Sequence, residues 1–168
     1  MVMLNSTALI LIGGIQDDVT YSSRTHILDI KNENWIEGPE LKVGRYLHSC
    51  ARIPTNNQSS DSSIIVVGGY NGKDMSSVEV LDEGSNEWRQ GPQLPFPICC
   101  SGIVQHPLGG VALIGGRATD VTLLDTIYHL AHAGNDAKWE LMPQKLQTAR
   151  CYHTAFLVPD EIDDYCEN

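Results

Sequence analysis

Basic residues are scarce in this chain: 11 lysines and arginines stand against 21 aspartates and glutamates, a formal net charge of −10. That balance argues against a general binder of the nucleic-acid backbone, which needs a basic face. It disfavours docking on anionic membrane surfaces for the same reason. Long apolar runs are missing too, and Leu9–Ile12 is far too short to span a bilayer. No segment sustains a 3.6-residue apolar period, so a helical fold is not expected. The five cysteines (Cys50, Cys99, Cys100, Cys151, Cys166) are odd in number and lack framework spacing. With no basic n-region in Met1–Ala8, they point to a reducing, cytoplasmic setting. There, Asn5-Ser6-Thr7 and Asn57-Gln58-Ser59 are chance matches to the glycosylation pattern. No Gly-x-Ser-x-Gly elbow, phosphate loop or Cys-x-x-Cys pair occurs.

What the chain does have is repetition. At 168 residues it is long enough for one domain or two small ones. In Ser63–Trp88, the β-branched run Ile64–Val67 suits a buried strand and stops at Gly68-Gly69, where the backbone is free to take positive φ. Asn71-Gly72 then makes a turn, Ser77–Leu81 alternates as a second strand, and the unit closes on Trp88. The same plan recurs around Gly13-Gly14 with Trp35 and around Gly115-Gly116 with Trp139. From first glycine to tryptophan the spacings are 22, 20 and 24 residues, and successive tryptophans lie 53 and 51 residues apart. Each tryptophan is followed by a proline (Pro39, Pro92, Pro143), and Arg-x-x-His occurs at Arg45–His48 and Arg150–His153. Strands are expected at 7–12, 25–30, 34–37, 47–53, 64–67, 77–81, 87–89, 101–105, 111–114, 126–130, 138–141 and 152–158. Met1–Ser6 reads as a lead-in, Pro54–Ser63 as a polar insertion, and Pro159–Asn168 as an acidic tail.

This pattern resembles the kelch repeat over Ala8–Val158, and the resemblance implies an all-β fold: a kelch-type β-propeller, or part of one, of about three four-stranded antiparallel blades. The units fall near 7–44, 45–96 and 97–149, followed by a closing strand at 150–158. By the kelch plan, the chain begins on a blade's second strand and ends on a first strand. Its two ends are then expected to pair into one blade and remove a free edge. Three units leave three arrangements: a fragment of a longer chain, an open arc, or two chains completing a six-bladed ring. The third unit departs from the plan, with Leu94-Pro95-Phe96-Pro97-Ile98-Cys99-Cys100 where the others carry Arg-x-x-His.

Structural roles fall to Gly13, Gly14, Gly68, Gly69, Gly115 and Gly116, and to Trp35, Trp88 and Trp139, each expected to pack against an adjacent blade. In kelch propellers that grip acidic peptides, the arginine and the residue after it often touch the ligand. The resemblance maps partner contacts onto Arg45-Tyr46 and Arg150-Cys151, with Tyr70, Asn71 and Arg117 just past the glycine pairs. A guanidinium fork binds carboxylates bidentately, and tyrosine adds contact area with a polar tip. The competing reading is that each arginine bonds carbonyls within its own blade. His48 and His153 at matching positions, with Cys99 or Cys100, form the one candidate metal set, but no carboxylate falls in register. No metal, cofactor or catalytic residue is assigned. Cys99, Cys100 and Cys151 read as small buried hydrophobes rather than sensing thiols.

The resemblance implies a non-catalytic protein-interaction module with a protein partner, an acidic peptide segment among the candidates, and a homodimer if a second chain completes the ring. Its setting would be the recognition part of a cullin-based ubiquitin ligase adaptor or an actin-associated protein. The alternative is an enzyme on a propeller, a metal-dependent oxidase or a sugar isomerase.

Overall fold

The structure is a computed structural model that describes residues 1–17, 19–56 and 61–158. The expected acidic tail and the centre of the polar insertion lie outside these residues. Among the described residues the fold is all-β, with no helix. A first sheet holds β1 (Val2–Asn5), β2 (Ala8–Ile12), β3 (Thr25–Asp29) and β4 (Asn34–Glu37). A second holds β5 (Ser49–Pro54), β6 (Ser62–Val67), β7 (Val78–Leu81) and β8 (Arg89–Gln90). Next come β9 (Ile98–Cys99), β10 (Gly102–Gln105), β11 (Val111–Ile114), β12 (Arg117–Ala118), β13 (Thr126–Leu130) and β14 (Glu140–Lys145). Strands β10, β11, β13 and β14 form the third sheet, and β9 pairs with β12 as a small ribbon beside it. Every pairing is antiparallel, and each four-stranded sheet is a simple meander.

The sheets pack face to face, and the cores lie between them. One core joins Ile10 and Ile12 of the first sheet to Ile64, Val66, Leu81 and Trp88 of the second. The other joins Ile65, Val67, Val78 and Val80 to Val111, Leu113 and Leu130 of the third. The middle sheet is therefore covered on both faces, which is why β6 and β7 read as near-continuous apolar runs. At about 25 cal/mol per Å² of apolar surface, each such buried side chain contributes about 1.5–3 kcal/mol.

The glycine pairs explain the close approach at the strand ends. Gly13, Gly68 and Gly115 have φ of 57°, 61° and 56°, and their second members have φ of 106°, 97° and 106°. A β-carbon on Gly68 would stand 2.2 Å from the Ile98 carbonyl oxygen, so only glycine fits there.

The ends of the chain differ from expectation. Val2–Asn5 is the first strand of the first sheet, bound to β2 with Val2 opposite Ile10, rather than a lead-in. That place being filled, residues 152–158 do not pair with the N-terminal sheet and form no strand. They run instead beside β10, where a β-carbon on Gly102 would meet His153 and Ala155.

Candidate partner-binding face

The loops that follow the three glycine pairs gather at one end of the sheets. Antiparallel bridges join Ile15 to Tyr21, Tyr46 to Tyr70, Tyr70 to Asp74, and Arg117 to Leu123. Tyr46 and Tyr70 exchange backbone hydrogen bonds of 3.1 and 2.8 Å, which locks the connection between the first two sheets to the loop of the second. Their rings follow. Tyr21 stacks on Tyr46 at 5.5 Å with 9° between planes, and Tyr70 meets both edge-on at 5.8 and 5.6 Å. Withdrawal from water, then Tyr21 and Tyr70, push the pKa of the Tyr46 phenol up. The result is a half-exposed platform of three aromatic rings.

Beside it, Arg117 Nη2 bonds Asp74 Oδ1 at 3.2 Å, while Arg117 Nε is buried with no partner. The guanidinium therefore keeps donors beyond those Asp74 uses. Cys99 and Cys100 lie underneath with their sulfurs 3.5 Å apart and both residues buried. Burial and then the neighbouring Cys100 push the Cys99 thiol up to about 12, which holds it neutral. A hydrogen bond with Cys100, first among several causes, pushes Tyr152 up to about 12 as well.

The structure sorts the expected contact residues. Tyr46, Tyr70 and Arg117 come together on this face. Asn71 stands at its edge, its amide donating to the Gly44 carbonyl and holding the loop in place. Arg45 does not reach the surface: it is 0% exposed, and its guanidinium donates to Gly68 O and Ser77 O at 3.0 Å and to Glu79 Oε1 at 2.6 Å. Its side chain bonds the second sheet, within its own unit, so for Arg45 the competing reading holds; its backbone, bonded to Gly14 and Ser22, ties that unit to the first. Arg150 is exposed at the glycine-pair end of the third sheet, its carbonyl accepting from Gly116 N–H at 2.9 Å and its Nε donating to Thr148 O at 3.3 Å, and it joins no platform residue.

The tryptophans also divide. Trp88 is 1% exposed and donates its indole N–H to Pro39 O at 2.8 Å. Trp139 is half-buried and donates to Pro92 O at 2.8 Å. Trp35, expected to be packed, is 48% exposed because, among the described residues, no sheet lies against its side of the first blade.

Two residues of the platform escape a reading by repeat position: Tyr21 and Asp74. Tyr21 follows its first glycine by eight residues and Asp74 by six, so unequal loop lengths hide their shared place. His48 and His153 each lie against the glycine turn of the preceding unit, Gly13 and Gly115. No three metal-ligating side chains cluster among the described residues.

Sequence comparison points the same way as the geometry. The kelch motif matches residues 54–95, which hold β6, β7 and β8 of the middle sheet and the turn that follows them. Kelch-like protein 35 of Mus musculus is 30% identical over 110 residues, which is 65% of this chain and 17% of that relative's length. No helix among the described residues is long and apolar enough to cross a membrane. The chain spans less than a fifth of the relative it matches. With its repeated glycine-pair and tryptophan units folded into three antiparallel four-stranded sheets, the chain carries a kelch motif and is similar to a kelch-like protein.

Proposed function

We propose that the chain is a non-catalytic protein-interaction module that grips an acidic peptide segment on the face formed by Tyr21, Tyr46, Tyr70 and Arg117. The observation that carries this reading is the three-ring platform standing beside the guanidinium of Arg117, whose side chain is 26% exposed. Aromatic rings supply rigid contact area, and the guanidinium supplies a charge-assisted bond to a carboxylate. The net negative charge does not forbid an acidic ligand, because screening limits repulsion to about 8 Å at physiological salt and the local cation dominates. Attachment to a larger adaptor that serves a cullin-based ubiquitin ligase is the setting we favour, by resemblance to kelch-repeat adaptors; actin association is the second.

The test uses fluorescence anisotropy with a labelled peptide carrying alternating glutamate and proline, and its lysine counterpart. The acidic peptide is expected to bind, and Tyr46→Ala combined with Arg117→Ala to weaken it by about tenfold or more. Equal binding of both peptides, or an unaffected double variant that remains folded, removes the site. Cosedimentation with filamentous actin separates the two settings.

A further inference from the structure

The hairpin that follows the third glycine pair breaks the rule set by its own geometry. Ala118 N–H donates to Thr122 O at 2.9 Å and Val121 N–H to Ala118 O at 3.0 Å, so Thr119, Asp120 and Val121 form a three-residue loop. The last residue of such a loop takes a left-handed conformation and is normally glycine. Val121 occupies that place at φ 62°. The second unit does have glycine there: Gly72, at φ 71°, precedes the bridge residue Asp74 by two, as Val121 precedes the bridge residue Leu123. A side chain branched at the β-carbon suits this backbone least, because its Cβ crowds the following carbonyl oxygen and its χ1 has few ways out.

The other described non-glycine residues with positive φ are accounted for by the frame. Leu47, Cys100 and Tyr152, at 55°, 58° and 57°, stand two residues after Arg45, Ile98 and Arg150, whose carbonyls accept from the second glycines Gly14, Gly69 and Gly116. The repeat imposes that pose three times. Glu33 is an unbranched residue in the turn between β3 and β4. Val121 is the one β-branched residue in this set, and the fold does not recover its cost by burial: it is 71% exposed and belongs to neither core. Strain without burial brings the fold nothing, so the gain lies in what the tip meets.

The hairpin carries that tip on the partner-binding face. Its base is the bridge between Arg117 and Leu123. Leu123 closes its bridge as Tyr21 and Asp74 close theirs, and both of those belong to the face already described. Leu123 is 46% exposed. One short loop therefore presents a guanidinium and two open aliphatic side chains.

We propose that Val121 and Leu123 are specificity residues of this face, receiving a bulky aliphatic side chain that flanks the carboxylate gripped by Arg117. The inference rests on the peptide reading above and adds the second half of the recognised motif: an acidic residue beside a leucine, isoleucine or valine. A guanidinium alone accepts any carboxylate. Aliphatic contacts held on the same loop favour only a segment that brings both groups, and apolar area that is open in the free chain is removed from water when it binds.

Fluorescence anisotropy on the whole chain tests it with two labelled peptides of equal charge, one with its glutamates flanked by leucine and the other by serine. The leucine peptide is expected to bind about tenfold more tightly. Val121→Asn places at the tip a residue that tolerates left-handed φ, and it is expected to remove most of that preference while the urea unfolding midpoint holds or rises. Leu123→Ser is expected to reduce the preference as well, with circular dichroism checking its fold. Equal, Arg117-dependent binding of both peptides overturns this inference and leaves the peptide reading standing, as does a preference that survives Val121→Asn. A lower unfolding midpoint for Val121→Asn also overturns it, because the valine would then serve the fold. Binding of neither peptide removes the peptide reading and this inference with it.

Discussion

The middle and first sheets are built from one motif and differ in what surrounds them. Strand β7 is buried at all four positions, while β4, with Trp35, is exposed at all four. Trp88 sits in a core with a carbonyl for its N–H, whereas Trp35 has neither. The indole is a structural wedge only when a second sheet stands against it. A repeat motif thus encodes half of an interface, and its energetic worth depends on the neighbour.

The sharpest way to break that comparison is to remove each indole. Trp88→Ala is expected to cost about 3–5 kcal/mol of stability and Trp35→Ala less than about 1 kcal/mol, read from urea unfolding midpoints. Equal costs for the two would show that the motif carries its own stability.

The arginines give a second contrast of similar size. Arg45→Ala leaves Glu79 as a buried carboxylate without its partner, a loss of about 3–5 kcal/mol. The exposed Arg150→Ala should stay within about 0.5 kcal/mol, measured in the same unfolding series. Replacing both members of the Arg45–Glu79 pair with apolar residues should recover much of the loss, because the desolvation of the pair is removed with its attraction.

A smaller and pH-dependent effect comes from His48, which lies between the first and second sheets near Gly13 and Gly69. Burial, then the charge of Arg45, lower its pKa from 6.5 to about 4. The folded chain keeps this imidazole neutral while the unfolded chain takes up a proton below pH 6.5. Stability should therefore fall as pH drops from 6.5 toward 4, by up to about 3 kcal/mol from this group. In His48→Gln the unfolding midpoint should vary less over that interval; an unchanged profile would place the acid sensitivity elsewhere.

Much of the fold was legible because its signals are local. Strands 34–37, 111–114 and 126–130 stand at their expected bounds, since β-branched runs closed by glycine pairs or turns leave little freedom. The N-terminal strand was missed because Met1–Ser6 has no alternation of its own and is fixed by pairing with β2. The strand expected at 152–158 failed for the complementary reason: its residues suit a strand, but no second strand supplies the ladder. At the candidate site, Tyr70 and Arg117 stand just past their glycine pairs and Tyr46 beside Arg45, positions open to reading from the chain, and the structure brings the three to one face. Arg45 was misplaced by resemblance, since whether a guanidinium faces a ligand or a buried glutamate 34 residues away is not written in its own neighbourhood.

By itself, the sequence determined the all-β class, the glycine turns, the tryptophan positions and the three-unit count, because each depends on backbone freedom and side-chain shape within a few residues. Only the tertiary structure decided which indole is buried, which arginine is paired and which tyrosines meet. Those outcomes depend on groups brought together from different sheets, where desolvation and the presence of a partner, rather than residue type, set the energy.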